Sequence, residues 1–87
     1  MTDPALRDQV IRRLLAASDA KVTATDITDA TSLRDDLDIS SLILITLASE
    51  LEDALRIDFE DEELSRIRTI GDLFEAIENS QRRSRSA

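Results

Sequence analysis

The sequence lacks the two side chains on which small enzymes most often depend. It contains no cysteine and no histidine, which excludes disulfides, zinc–sulfur sites and the usual general base near neutral pH. Its 87 residues correspond to one domain, near the lower size limit for a single hydrophobic core. Catalysis by this chain alone would have to depend on carboxylates. We therefore expect that it is not an enzyme.

Tryptophan and tyrosine are also absent, so the side chains that stack best on nucleic-acid bases are missing. The net charge is -8, and its distribution is uneven. Residues 34–63 contain eleven acidic residues against Arg34 and Arg56, a net charge of -9. Because an acidic surface repels phosphate backbones, we expect no nucleic-acid partner and a basic protein surface as the favoured one.

Long apolar runs are missing as well. No stretch approaches the roughly 18 apolar residues of a membrane span, and the first ten residues, MTDPALRDQV, lack the basic-then-apolar order of a signal peptide. We expect no membrane span, a cytoplasmic location and a monomer.

Apolar residues at helical spacing predict three main helices. The first covers residues 4–17, with Asp3 as N-cap and Pro4 at the first helical position. The second begins at the serine pair of residues 40 and 41 and runs to about Arg56. The last follows Thr69, the expected N-cap, with an acid three residues later to complete a capping box. That acid is Asp72.

The remaining segments complete the predicted fold. Residues 18–40 are rich in Thr, Asp and Ser and predict a long loop, and a brief helix precedes Thr69. The fold class is therefore all-α, a four-helix up-and-down bundle of three main helices and one short helix. Residues 1–80 form the domain, and residues 81–87 form a disordered basic tail. The expected apolar anchors of the loop are Val22, Ile27, Leu33 and Leu37.

The second helix carries more aliphatic residues than one core face needs. At 100° per residue, Leu42, Ile43 and Ile45 fall outside the stripe centred on Leu44, so we expect them to lie off the core. The stripe itself consists of Leu44, Leu47, Ala48, Leu51 and Leu55.

The acidic side chains are weak candidates for chemistry. Those of the loop and of the second helix are expected to be solvated, with ordinary pKa values. Neither DDLDIS nor DFEDEE has the glycine and the distal glutamate of an EF-hand loop. We expect no catalytic residue and no metal site.

The serine pair at the start of the second helix is the better candidate. One serine can cap the helix by accepting a backbone N–H, and the second is left over. A hydroxyl at this place is no self-activated nucleophile. It can accept a group delivered by another enzyme, because a helix N-terminus favours a phosphate.

From Leu33 to Ile77 the sequence resembles the acyl carrier proteins. The ordered motifs D-L, S-L, L-E, I-D-F-x-D-E and T-I-G-D-L occur without a gap in LRDDLDISSLILITLASELEDALRIDFEDEELSRIRTIGDLFEAI. The resemblance implies that Ser41 receives 4′-phosphopantetheine from coenzyme A. It also implies that acyl groups are carried as thioesters on this arm, for fatty-acid, polyketide or related lipid biosynthesis.

The resemblance further implies partners and their contact residues. A phosphopantetheinyl transferase would modify Ser41, and acyl-loading, elongating or transferring enzymes would dock along the second helix. The expected docking residues are Asp36, Leu42, Ile43, Ile45, Thr46, Glu52 and Asp53. The expected acyl cavity is lined by Leu44, Leu47, Leu51, Phe59, Leu64 and Ile67.

The chain departs from the family pattern at four positions. Asp38 replaces a glycine, which should stiffen the loop, and Ser40 replaces the acid before the modified serine. Ile43 and Thr46 stand where acids are frequent. These changes shift the recognition surface from acidic toward apolar, so we expect a specialised carrier rather than the general fatty-acid carrier.

Two alternatives remain open at this point. A peptidyl or aminoacyl carrier has the same fold, although the two glycines usual before its modified serine are absent from DLDISSL. An unmodified helical interaction module would use Ser41 only as a cap and the surplus aliphatic residues to bind a partner.

Overall fold

A computed structural model describes residues 3–18 and 21–86, with only the backbone described at residues 84–86. The helices are α1 (Pro4–Ala17), α2 (Ser41–Leu55), α3 (Asp61–Arg66) and α4 (Ile70–Ser86), with a 3₁₀ turn at Ala24–Asp26. They confirm the predicted all-α bundle of three long helices and one short helix with a long first loop. Across the described residues, no helix combines the length and apolar composition that crossing a bilayer requires.

Helix α1 begins at the predicted cap. The Asp3 carboxylate accepts the Ala5 N–H at 3.0 Å, and Pro4 takes the first helical position, where its missing N–H would have had no intrahelical partner. The predicted apolar face turns toward the core and includes the buried residues Val10, Ile11 and Leu14.

The long loop between α1 and α2 contributes side chains to the core. Of its predicted anchors, Ile27, Leu33 and Leu37 are buried and Val22 is partly buried. Ile39 is buried too, although the sequence pattern does not mark it. The loop is therefore one wall of the bundle rather than a surface connection.

Backbone hydrogen bonds join this loop to the turn between α3 and α4. The Leu33 N–H donates to the Arg68 carbonyl at 3.0 Å, and the Gly71 N–H donates to the Asp29 carbonyl at 2.9 Å. A β-carbon at residue 71 would lie 3.1 Å from that Asp29 oxygen, so the glycine permits the close approach. These bonds place the loop residues before Ser41 beside the α3–α4 turn.

Helix α2 presents the predicted stripe, with one correction. Leu42 and Ile45 are exposed, as expected, but Ile43 is partly buried against the core. The prediction that Ile43 lies off the core was wrong, because the core includes loop side chains as well as helical ones and extends beyond one helical stripe. Within the stripe, Leu47, Ala48 and Leu51 are buried and Leu44 and Leu55 are partly buried.

Helices α3 and α4 each begin with a backbone N–H that donates to a carboxylate three residues later. The Glu60 N–H donates to the Glu63 carboxylate at 3.0 Å. The Asp72 N–H donates to the Thr69 hydroxyl, and the Thr69 N–H donates to the Asp72 carboxylate, both at 3.2 Å. The second pair is the capping box that the sequence predicts.

The far end of α4 is anchored to the segment before α3. The Arg83 guanidinium donates to the Asp58 carbonyl at 2.8 Å and to the Glu63 carboxylate at 2.7 Å. The buried Ser80 hydroxyl donates to the same Asp58 carbonyl at 3.1 Å. Ser80 and Arg83 therefore tie α4 to the Asp58 carbonyl and the Glu63 carboxylate, which lie far away in the sequence.

This anchoring explains a difference from the sequence-based expectation. Residues 81–86, which composition assigns to a disordered tail, continue α4. The tail is polar, so it lacks the apolar residues at helical spacing by which a helix is predicted. Ser80 and Arg83 instead hold this end of α4 through hydrogen bonds to the Asp58 carbonyl, in the α2–α3 connection. Ala87, the last residue of the predicted tail, lies outside the described residues.

Candidate functional site

The two serines at the start of α2 have different environments. The Ser40 hydroxyl oxygen accepts the Ile43 N–H at 3.3 Å, which makes Ser40 the N-cap. Ser41 is the first residue of α2 and is exposed. Its hydroxyl makes no hydrogen bond to any residue that the structure describes. The prediction that one serine caps and the other is left over is confirmed.

The position of Ser41 suits a phosphate. The first backbone N–H groups of a helix have no intrahelical carbonyl partner, and the helix dipole makes this end positive. Helix α2 has 15 residues, long enough for that dipole to develop. The exposed hydroxyl and the helix start therefore fit a phosphodiester at this serine.

The expected docking residues lie in the loop before α2, in the first turns of α2 and near the end of α2. Leu42 is 74% exposed and Ile45 is 57% exposed, so the two form an apolar surface next to Ser41. Thr46 is exposed one turn after Leu42, and its hydroxyl donates to the Leu42 carbonyl at 3.2 Å. Among the expected docking residues, these side chains are close to the serine and open to a partner.

The acidic members of the predicted docking set are further away or already engaged. The Asp36 carboxylate accepts the Ser32 N–H at 2.7 Å within the loop. The partly buried Glu52 accepts the Phe59 N–H at 3.1 Å and so orders the connection to α3. Asp53 is exposed. At 1.5 Å per residue, Glu52 lies about 16 Å from Ser41 along the helix.

A pocket of about 170 Å³ opens beside Ser41. It lies between the loop, the start of α2 and the α3–α4 turn. Of the six residues predicted for an acyl cavity, Leu44 and Ile67 line it. The structure places Leu47, Leu51 and Phe59 in the core and packs Leu64 partly buried against it.

The other eight lining residues are not part of the cavity that the sequence predicts. The apolar wall includes Leu33 and Ile39, and the rim includes Arg34 and Arg68. The two arginines lie 34 positions apart in the sequence, and helical periodicity carries no information on such a pair. The sequence does show that Arg34 is a basic residue inside the acidic stretch of residues 34–63, and this was the one signal that pointed to the basic rim.

An ionic cluster joins α3 to α4. The Glu63 carboxylate receives a hydrogen bond from Arg83, and Arg83 lies 3.4 Å from the Glu60 carboxylate. Burial raises the pKa of Glu63, but the hydrogen bonds from Arg83 and from the Glu60 N–H outweigh it and hold the pKa below its ordinary value. The cluster therefore stabilises the folded state while Glu63 is ionised.

The chain is similar to known proteins. A family model described as "Phosphopantetheine attachment site" matches residues 9–77. The meromycolate extension acyl carrier proteins of Mycobacterium leprae and Mycobacterium tuberculosis are 38% identical over 52 residues, which cover 60% of this chain and 45% of those proteins. That of Mycolicibacterium aurum is 36% identical over 60% of this chain and 54% of its own length. The chain spans about half the length of these curated relatives.

Solved structures share the fold. A Mycobacterium tuberculosis chain assigned as an acyl carrier protein has a TM-score of 0.71 at 27% identity, over 82% of this chain and 92% of that chain. The acyl carrier protein of Thermotoga maritima has a TM-score of 0.68 at 22% identity, over 88% and 92%. The second likeness shows the fold alone.

These matches confirm the resemblance found in the sequence. The family consists of carriers that are not themselves catalytic, and the match indicates covalently attached 4′-phosphopantetheine as the cofactor. The chain belongs to the acyl carrier protein family of phosphopantetheine-binding proteins.

Proposed function

We propose that this protein carries acyl groups as thioesters on a 4′-phosphopantetheine arm attached to Ser41. The observation that supports it most is the difference between the two serines. Ser40 uses its hydroxyl to cap α2, whereas the exposed Ser41 hydroxyl has no hydrogen-bond partner among the described residues. Ser41 is therefore free to form a new bond without loss of the helix cap.

The chain does not supply the base that Ser41 needs. It contains no histidine, and a serine hydroxyl without an adjacent base is a weak nucleophile. A phosphopantetheinyl transferase would therefore take the Ser41 proton. The Ser41 oxygen forms a bond to phosphorus as the pyrophosphate bond of coenzyme A breaks and adenosine 3′,5′-bisphosphate leaves. The attached arm then supplies the thiol that this cysteine-free chain lacks.

The partners that we propose are enzymes that load, elongate or transfer the acyl group. Leu42 and Ile45 provide the exposed apolar contact next to Ser41, and Thr46 and Asp53 add polar surface along the same helix. Buried apolar anchors dominate the affinity of many protein interfaces. We therefore propose that docking depends mainly on Leu42 and Ile45, with Asp36, Ile43 and Glu52 at the margin of the contact.

The pathway that we propose is the biosynthesis of fatty acids, polyketides or related lipids. Relatives from mycobacteria are acyl carriers of meromycolate extension, which supports an acyl group over an amino acid or a peptide. The family match and the departures at Ile43 and Thr46 support a specialised carrier that serves a restricted set of enzymes. The cytoplasmic location and the monomeric state stay predictions.

Intact-mass spectrometry tests the attachment. The apo protein is incubated with coenzyme A and a broad-specificity phosphopantetheinyl transferase, and Ser41→Ala and Ser40→Ala are treated in parallel. We expect the wild type and Ser40→Ala to gain the mass of one phosphopantetheine and Ser41→Ala to gain none. No gain in the wild type would instead favour an unmodified interaction module.

A further inference from the structure

The pocket beside Ser41 combines an apolar wall with a basic rim. Leu44 and Ile67 line its wall, and Arg34 and Arg68 contribute to the same lining as Ser41. Its volume is about 170 Å³. It therefore has room for a compact group next to Ser41.

The backbone brings the two arginines together. The Leu33 N–H donates to the Arg68 carbonyl at 3.0 Å, and Ser32 and Thr69 form an isolated β-bridge across the same contact. Arg34 is the residue directly after Leu33, and Arg68 is the residue whose carbonyl accepts the Leu33 N–H. The backbone of residue 34 therefore lies close to that of residue 68, and the two arginines, both exposed, line the same pocket.

Neither arginine has its charge neutralised. Arg7, Arg13 and Arg83 form ion pairs with carboxylates, but the Arg34 and Arg68 side chains form none within the described part of the chain. Arg12, Arg56 and Arg66 also form no ion pair among the described residues. What distinguishes Arg34 and Arg68 is that both line the pocket beside Ser41.

The carboxylates of the neighbouring loop do not form ion pairs with Arg34 or Arg68. Asp35 also lines the pocket, yet it forms no ion pair with either arginine. The Asp36 carboxylate accepts the Ser32 N–H instead. The Asp72 carboxylate accepts the Arg68 backbone N–H at 3.1 Å and forms no ion pair with the Arg68 guanidinium. The lining of the pocket therefore contains two arginines and one acid, Asp35, and the start of α2 adds its own positive end.

We propose that Arg34 and Arg68 form a subsite that binds an anionic group of the arm attached to Ser41. Guanidinium groups bind phosphates and carboxylates through paired charged hydrogen bonds. Two groups on the arm have this chemistry, the phosphodiester at Ser41 and a carboxylate at the end of an acyl group. This inference rests on the proposed attachment at Ser41 and adds the chemical class of cargo or linkage that the pocket accepts.

The subsite predicts that modification stabilises the protein. An anion held between two unpaired cations adds favourable contacts that the apo protein lacks, and ligands or groups bound only by the folded state raise the melting temperature. Salt screens exposed charges, so the gain should shrink at high ionic strength.

The test compares melting temperatures of four forms. These are the apo protein and the protein modified from coenzyme A, butyryl-coenzyme A or succinyl-coenzyme A, each verified by intact mass. Butyryl and succinyl groups both have four carbons, but succinyl ends in a carboxylate. The variant is Arg34→Gln with Arg68→Gln, and the matched control is Arg12→Gln with Arg66→Gln, which removes two exposed arginines elsewhere.

We expect modification to raise the melting temperature above that of the apo form, on the order of 4 °C, in the wild type and in the control. In the Arg34→Gln/Arg68→Gln variant we expect little or no rise. A rise from apo to holo, with no difference between the butyryl and succinyl forms, assigns the phosphodiester. A rise confined to the succinyl form assigns an acyl carboxylate.

A second measurement avoids dependence on the variant's folding. In wild-type protein labelled with ¹⁵N, the Arg34 and Arg68 side-chain Nε–Hε resonances should shift between the forms that differ in melting temperature, and those of Arg12 and Arg66 should not. Modification by mass without any such shift, and equal melting gains in variant and control, would overturn the subsite and leave the attachment intact. No mass gain in the wild type would overturn both proposals.

Discussion

The Ser40 hydroxyl accepts the Ile43 N–H at 3.3 Å, and this one contact separates the functions of two adjacent serines. The cap satisfies a backbone donor at the start of α2 without involving Ser41. Ser41 therefore begins the helix with an exposed hydroxyl. The two neighbouring serines thus have different environments, and we propose that Ser41 alone receives the arm.

Replacing Ser40 by alanine should lower stability without preventing modification. The loss of an N-cap hydroxyl typically costs about 1 kcal/mol, so the urea midpoint of Ser40→Ala should fall. Ser41→Ala, which removes a hydroxyl with no hydrogen-bond partner among the described residues, is the matched control and should unfold close to the wild type. Equal losses of unfolding free energy in the two variants would contradict the assignment of the cap.

Asp38 should respond differently to alanine and to glycine. Its φ angle is 54°, in the left-handed region where a β-carbon costs about 1 kcal/mol or more and where glycine is favoured. Asp38→Gly should therefore be more stable than Asp38→Ala by about 1 kcal/mol in urea unfolding. Asp38 stands where the family pattern has a glycine, and its φ angle is one that glycine adopts without strain.

Arg83→Gln should weaken the attachment of α4 to α3. The guanidinium donates to Glu63 at 2.7 Å and to the Asp58 carbonyl at 2.8 Å. The Arg83 side chain is 40% exposed, so solvent reduces the ionic part of the interaction, and we expect the melting temperature at pH 7 to fall by only a few degrees. Arg12→Gln, an exposed arginine of α1, serves as the control and should change the melting temperature little.

The effect of Arg83→Gln should depend on pH. The pKa of Glu63 lies below its ordinary value in the folded state because Arg83 and the Glu60 N–H outweigh burial. A depressed pKa adds stability above the unfolded value, about 4.3 for glutamate, and that stability is lost as the pH falls through the folded pKa. The stability difference between wild type and Arg83→Gln should therefore shrink below about pH 4. A difference that stays constant from neutral to strongly acidic pH would show that Glu63 takes no part.

Leu42 and Ile45 should control the rate of modification. Their exposed side chains can add buried area when a transferase docks, and each anchor of an interface commonly contributes about 1 kcal/mol or more. Leu42→Ser with Ile45→Ser should lower the transferase kcat/KM by about tenfold or more. The unfolding free energy of the double variant should stay within about 0.5 kcal/mol of the wild-type value.

The control for this pair is Ala54→Ser, at an exposed apolar position near the far end of the same helix. It makes the same kind of change, from an apolar side chain to serine, away from Ser41 and should leave the rate unchanged. If the double variant is modified as fast as wild type, docking does not use this apolar surface, and the charged residues of the predicted set become the better candidates.

Much of the fold follows from short-range patterns. The caps at Asp3, Ser40 and Thr69 each depend on residues two to four positions apart, and the core stripe of α2 depends on a period of about 3.6 residues. Such signals are complete within one segment of sequence. For this reason the three long helices begin where the sequence predicts. Which of the two serines caps α2 is decided by the hydrogen bond between the Ser40 hydroxyl and the Ile43 N–H.

Contacts between distant segments account for the rest. Ile43 is partly buried because loop side chains widen the core, and α4 continues beyond residue 80 because Arg83 reaches Asp58. The pocket forms because the Leu33 N–H meets the Arg68 carbonyl. Local periodicity and capping thus determine where the long helices begin, and so they place Ser41 at the start of α2. The basic rim next to Ser41 arises on folding, since a hydrogen bond between residues 33 and 68 leaves no trace in either segment alone.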